Sequence, residues 1–525
     1  MLLMAPGLAL FDGGRPRASA KSIISDAPGV SRASEVTRTH QGRWSPVFEL
    51  PNVAIHTHVL PNAKVLFWGR RDQPNGPMHA HECTPYVWDP STGELGPTPQ
   101  PQRADGTKVN LFCSGHAFLP DGRLLVVGGH LADGDGLDQA CAYDYRTNTW
   151  TALPAMNRRR WYPTATALPD GTVLVSSGSY QENGRSVVNP IPEIWDGRRW
   201  RHATRFAGLP LYPRLYPAPN GQLLASASNA QTYLLNTRDG SCTALPCPQG
   251  MPSNGERQYG SSVMYDVGKV VDIGGHDDAT TDAPTAAAAV IDFRANPPNW
   301  RRIDSMHFPR HQHSATILAD GSVLVTGGTS GPGFNDLSPG KPVHVAESWD
   351  PVTEKWTKLA AEDVDRCYHG TTVLLPDATV LSAGGGEFLV GSEPNKPRDS
   401  HRSAQIFYPP YLFRGPRPQI AAAAPKAITY GETFSLDVRG PDVAKVTWIR
   451  LPSVTHGADH SQRINILDFR RNNGRVTVVA PDRPEICPPG HYMLFVLSKA
   501  GVPSASHIMR IAPHPADPAP RSLDL

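Results

Sequence analysis

Pro120-Asp121-Gly122-Arg123-Leu124-Leu125-Val126-Val127-Gly128-Gly129 states the plan of this chain. Pro-Asp-Gly is a turn, with Pro pre-setting φ and Gly free to take the left-handed conformation. The apolar run behind it reads as a buried strand. The phrase recurs, with drift, at Pro61-Asn62-Ala63, Pro169-Asp170-Gly171, Pro219-Asn220-Gly221, Asp266-Val267-Gly268, Ala319-Asp320-Gly321 and Pro376-Asp377-Ala378. Most runs are followed by a second strand signal, such as Val87-Trp88-Asp89 or Ser348-Trp349-Asp350, and often by a Trp strand at Trp150, Trp200, Trp300 or Trp356. Each repeat thus carries the marks of about four short strands, one propeller blade.

The period of about 50 residues is that of a kelch-type array. The expected fold is all-β: a seven-bladed kelch-type β-propeller over 41–413, then a C-terminal immunoglobulin-like β-sandwich over 414–525. The seventh repeat has Gln405-Ile406-Phe407-Tyr408 but no Trp strand after it, while Gly42-Arg43-Trp44-Ser45 stands orphaned before the first. The N-terminal segment is therefore expected to supply the outer strand of the last blade, removing an open edge. After Tyr411 the period stops. Strands are expected at Thr433–Val438, Lys445–Leu451 and Arg475–Ala480, with a hairpin over Tyr492–Ile511.

Residues 1–40 read as a tail without period. Met1–Leu10 is apolar and Ala18-Ser19-Ala20 resembles a signal-peptidase site, but Asp12, Arg15 and Arg17 interrupt the approach. A secreted or envelope location is the expectation. No run of about 18 apolar residues announces a membrane helix. The formal net charge of +2, without a basic run, argues against nucleic acid as a partner. Seven cysteines leave at least one outside disulfides, and Cys242 with Cys247 could close a small loop or stay as two free thiols. A monomer is expected.

A repeat also gives every residue a phase. Nine positions before the third turn residue stand Ala54, Cys113, Tyr162, Tyr212, Tyr259, Gln312 and His369. In a propeller this phase lies at the axis, with Cys113 and Tyr162 on adjacent blades and His369, beside Tyr368, across the channel. Tyrosine is common in strands and a channel Tyr is usually packing; a buried Cys is usually a small hydrophobe. Together, however, these residues offer the mixed N and O donors that suit Cu(II) or non-haem iron, whereas zinc would draw more Cys or carboxylate.

Four segments then resemble one known family. Leu111-Phe112-Cys113-Ser114-Gly115, Arg160-Trp161-Tyr162-Pro163-Thr164, Arg366-Cys367-Tyr368-His369-Gly370 and Val454-Thr455-His456, with Gln462-Arg463 downstream, are similar to motifs of the copper radical oxidases, the galactose oxidase and glyoxal oxidase family. They occur in family order within residues 41–511. The resemblance implies one copper ion held by Tyr162, Tyr368, His369 and His456. It implies a Cys113–Tyr162 thioether that carries the radical, with Tyr368 as the general base. The catalytic set is then Cys113, Tyr162 and Tyr368. A single copper couple needs a second one-electron store for a two-electron oxidation, and a sulfur-substituted tyrosine supplies it. The implied reaction oxidises a small aldehyde or primary alcohol and reduces O2 to H2O2.

One departure bears on substrate. Where galactose oxidases place a Trp over the cross-linked ring, after Ser177-Gly178-Ser179, this chain has Tyr180. That leans toward the glyoxal oxidase branch. Tyr180, Tyr212, Tyr259, Gln312 and His313 are assigned to the substrate side or to supporting positions. His311 and His313, two apart on a strand, are expected on one face near the channel mouth. His460 reads as a supporting or surface residue, and His79-Ala80-His81-Glu82-Cys83 as a loop. The alternatives are a non-catalytic kelch module binding glycan or protein, which leaves the Tyr, Cys and His at one phase unexplained, and a propeller hydrolase or lyase, which the lack of Asp and Glu at that phase disfavours.

Overall fold

A computed structural model describes residues 32–513, apart from short internal segments at 75, 78–81, 104, 204–207, 227–231, 237–238, 246–256, 278–282, 391–392, 395–398, 422 and 473. The candidate signal-peptidase site, His79, His81 and Cys247 lie outside the described residues.

The protein is nearly all-β. Each repeat folds as an antiparallel sheet whose first two strands flank its turn. The second sheet is typical: Ser114–Phe118, Leu124–Gly128, Ala140–Asp144 and Thr149–Leu153 pair in chain order. Its first two strands are buried throughout. The fourth is exposed or half-buried throughout, as suits an outer strand. First strands pack on one another from sheet to sheet. Ser114–Phe118 lies on Trp161–Ala167, Ser261–Asp266 on His311–Ile317, His311–Ile317 on Gly370–Leu374, and Gly370–Leu374 on His56–Val59. The N-terminal segment does supply the outer strand of the last sheet: Trp44 pairs with Phe407 and Arg43 with Tyr408. The region read as a featureless tail contains a helix, Arg32–Gln41, which packs on the short 3₁₀ turn Pro410–Phe413.

Beyond residue 414 two sheets share a second core built from Phe434, Leu436, Trp448, Val478, Tyr492 and Met509. The strand Gly490–Ser498 belongs to both cores. Tyr492, Leu494 and Val496 point into the second core, while Met493, Phe495 and Leu497 join the large core of the repeats. Period-two alternation is what lets one strand serve both.

Candidate copper site

The phase residues share an unusual backbone. Cys113, Tyr162, Tyr212, Tyr259, Gln312 and His369 have φ of 62°, 61°, 47°, 57°, 57° and 68°. Non-glycine residues seldom occupy this region. Adjacent members are linked through the main chain: Tyr162 N–H donates to Cys113 O (3.0 Å), Tyr212 N–H to Tyr162 O (2.9 Å) and Gln312 N–H to Tyr259 O (2.9 Å). Buried arginines brace the approach to three of them. Arg160, Arg310 and Arg366 donate from Nη1 to the carbonyls of Ser177 (2.6 Å), Gly327 (3.0 Å) and Gly384 (2.8 Å). They pair with the buried carboxylates of Glu193, Glu347 and Glu362 at 2.8, 2.8 and 3.5 Å.

The C-terminal region reaches this ring through one hairpin. Ser453–Thr455 pairs with the inner edge of the first sheet, Thr455 opposite His56 and Ser453 opposite His58. The chain then turns at His456 (φ 50°) and Gly457 (φ 70°) into Ala458–Asp459. Left-handed φ at both central residues of a two-residue loop is the type I′ pattern. This finger touches the first strands His56–Val59, Ser114–Phe118, Ser261–Asp266, His311–Ile317 and Gly370–Leu374. It is pinned by Ser261 Oγ donating to Gly457 O (2.7 Å) and Gln462 Nε2 donating to Ala315 O (3.1 Å).

Four polar side chains meet where the finger ends. The hydroxyls of Tyr162 and Tyr368 are hydrogen-bonded to each other. The His456 ring lies 4.6 Å from Tyr162, 5.5 Å from Tyr368 and 4.5 Å from His369, centroid to centroid. His369 presents Nδ1 to Gly386 O, and His456 presents Nδ1 to the Thr455 hydroxyl at 2.6 Å. In both, Nε2 is buried without a partner among the described residues. A second hydrogen bond on Nδ1 with Nε2 held open is how a metal-ligating imidazole is oriented. Burial pushes the His369 imidazole down to about 3 and the Tyr162 and Tyr368 phenols well up. Cys113 is fully buried in one cluster with Tyr162, Phe112 and Tyr212, and burial raises its thiol as well. No three His, Cys, Asp or Glu side chains among the described residues form a metal-holding group. A metal here would therefore need the tyrosine oxygens in its donor set.

A cavity of about 550 Å³ opens over these residues, lined by Tyr162, Tyr368, His456, Tyr212 and Tyr259 and walled by Phe334, Phe388, Leu211 and Pro210. Arg70 brings a charged group to it and is paired with Asp133 at 3.1 Å. Tyr212 stacks on Tyr162 (4.4 Å, 24°) and donates to Ser114 O at 2.9 Å.

Four assignments are refined by the geometry. Tyr180 does not cover Tyr162: it is half-buried under Arg158, whose guanidinium lies 5.4 Å from its ring. Trp161 stacks there instead, at 3.7 Å and 9°. Gln312 is not part of the cavity lining; its Nε2 donates to Phe334 O (3.0 Å) and so steadies a residue that is. His311 and His313 are buried away from the mouth, because the left-handed Gln312 between them interrupts strand alternation. His460 is buried rather than at the surface, stacked on His116 at 5.1 Å. Trp161 and Arg70 were overlooked in the sequence although both left a signal. Trp161 sits inside a quoted motif. Arg70 occupies a phase held by glycine in five other repeats: Gly129, Gly178, Gly275, Gly328 and Gly385.

The chain is similar to known proteins. Residues 100–411 match the family model of the glyoxal oxidase N-terminus, and residues 417–511 that of the galactose oxidase-like early set domain. A galactose oxidase of Gibberella zeae is 28% identical over 525 aligned residues, covering 92% of this chain and 72% of that protein. An aldehyde oxidase GLOX of Vitis pseudoreticulata is 27% identical, covering 87% and 92%. A solved fungal alcohol oxidase of the AA5 family, in complex with copper, superposes with a TM-score of 0.76 at 23% identity, over 90% of this chain and 99% of that one. Its identity is low enough that the likeness speaks for the fold alone. With the larger model spanning more than half of its length, the chain belongs to the glyoxal oxidase family of copper radical oxidases.

Proposed function

We propose that this protein oxidises a small aldehyde or primary alcohol, with O2 as acceptor and H2O2 as product. Its proposed cofactors are one copper ion and a Cys113–Tyr162 thioether. The observation that carries the reading is the meeting of two buried, open Nε2 atoms, of His369 and His456, with the hydrogen-bonded hydroxyls of Tyr162 and Tyr368 beside Cys113. Two imidazoles and two phenols fit Cu(II). Raised phenol pKa values fit a place where the opposing charge comes from a cation. The supporting fold reading takes the seven sheets of 41–413 as the blades of one propeller and 414–525 as an immunoglobulin-like sandwich contributing the finger.

Copper would supply one redox equivalent and the sulfur-linked Tyr162 the other. The protein's own groups do the remaining work. Tyr368 Oη accepts the substrate hydroxyl proton, or that of a hydrated aldehyde. Tyr162 Oη, within hydrogen-bond reach of Tyr368, takes the hydrogen from the substrate carbon. The aromatic and aliphatic walls of the cavity exclude water from the reacting carbon and favour compact substrates. A lean to the glyoxal oxidase branch, a monomeric state and export to the envelope or exterior belong to the same proposal.

The test is a panel of aldehydes and primary alcohols, with coupled peroxide detection on copper-loaded protein and mass spectrometry after copper and air. Peroxide should appear in step with substrate, and the wild type should lose two hydrogens where Cys113→Ala does not. Wild-type protein that keeps both hydrogens and yields no peroxide with any member of the panel sinks the reading.

A further inference from the structure

Behind Cys113 runs a chain of hydrogen bonds that the reaction above does not use. The Cys113 backbone N–H donates to His56 Nε2 at 3.2 Å. A neutral imidazole that accepts at Nε2 carries its proton on Nδ1. His56 Nδ1 therefore donates to His116 Nε2, 3.2 Å away. The same rule makes His116 donate from Nδ1 to the Ser453 hydroxyl at 2.5 Å. Ser453's own proton is left for His58 Nδ1 at 3.0 Å. One backbone donor thus sets the direction of every link. All four residues are 0% exposed. Burial holds the three imidazoles well below their usual pKa, so the chain is neutral.

Its members come from three separate segments. His56 and His58 are alternate residues on the first sheet's inner strand, and His116 lies on the second sheet's first strand. Ser453 opens the finger strand that leads to His456. His460, from the other side of the finger, stacks on His116 at 5.1 Å and 27°. His56 and His116 spend both ring nitrogens within the chain, His58 keeps a buried Nε2 without a partner among the described residues, and the imidazoles do not converge as a metal group. One end of the chain holds the amide of a residue at φ 62°, and its third member, Ser453, lies on the finger strand. A buried polar chain is costly unless every link is made, so the finger out of place leaves His116 and His58 unsatisfied.

We propose that the His56–His116–Ser453–His58 chain positions the Cys113 backbone according to the seating of the finger, so that the thioether forms efficiently only once His456 is in place. These are positioning residues, and the proposal rests on the copper radical reading. In the cross-linking step Cys113 S–H and one ring C–H of Tyr162 are broken and one C–S bond forms. The two protons and two electrons go to O2, giving H2O2.

The experiment follows the two-hydrogen mass loss over time in air, after adding Cu(II) to copper-free full-length protein. Ser453→Ala and His116→Phe should slow it at least tenfold, while their copper-free Tm stays within a few degrees of wild type. Ser453→Thr keeps the hydroxyl and should return the rate to within about twofold. Val478→Ala, in the distant C-terminal core, controls for lost stability. The proposal is overturned if Ser453→Ala and His116→Phe cross-link within twofold of wild type, or if Val478→Ala slows the step as much at equal Tm. A wild type that never loses the hydrogens overturns the oxidase reading instead.

Discussion

Chemistry and backbone strain coincide residue by residue. A left-handed non-glycine residue costs on the order of 1–3 kcal/mol, and Cys113, Tyr162, His369 and His456 all have φ between 50° and 68°. The neighbouring main-chain bonds and the braced arginines hold them there. The same strain explains Trp161. Strand alternation would send Trp161 and Tyr162 to opposite faces, but φ of 61° at Tyr162 breaks it and lays the indole on the phenol. Trp161→Ala should leave cross-linking intact and shorten the lifetime of the oxidised, radical form about tenfold, followed by EPR after mild oxidation. An unchanged lifetime would mean that the indole is only packing. Sequence reading brought Cys113, Tyr162, Tyr368, His369 and His456 onto the page because phase and motif are properties of the linear chain. It left the shield unplaced, and it set His313 at the mouth because it assumed regular alternation.

Among elements, the finger is the one on which the site turns. Gly457 faces two constraints. Its φ is 70°, and a Cβ there would sit 2.5 Å from His313 O. Neither the backbone nor that carbonyl can yield cheaply, since His313 is inside a buried strand. Gly457→Val should therefore displace His456 and weaken copper binding at least tenfold by calorimetry. The C-terminal core, far along the chain, should still melt cooperatively. Copper affinity within twofold of wild type would show that the turn does not set the ligand. The strands themselves were legible, including the N-terminal strand of the last sheet, because alternation and turn chemistry are local signals. The helix Arg32–Gln41 was not: its ten residues include only one large aliphatic, Val36, so no apolar stripe announces it. The finger's pairing with the first sheet was not legible either, since nothing near Ser453 in sequence points to His56.

At the scale of the molecule, the repeats and the finger bury many imidazoles, and this makes stability depend on pH. Burial pushes His311 and His460 down to about 3 and holds His58, His116 and His313 well below their ordinary value. Unfolded, each titrates near 6.5. Between that value and the folded one, the unfolded chain binds protons that the folded chain refuses. Stability is therefore fully present above about pH 6.5 and is lost as pH falls. His311 and His460 alone contribute roughly 3 kcal/mol per pH unit at most, at about 1.4 each. Three buried carboxyls work the other way. Burial raises Glu362 to about 7, Asp459 to about 6 and Glu387 above its ordinary value, so each favours the folded state at low pH and withdraws that support as pH climbs toward its folded value. The histidines outnumber them, and their shifts are larger. Urea unfolding of the copper-free protein should therefore show its midpoint rising from pH 5 to pH 7. A midpoint that is flat or falls over that interval would mean that the buried imidazoles find protons, or water, in the folded state.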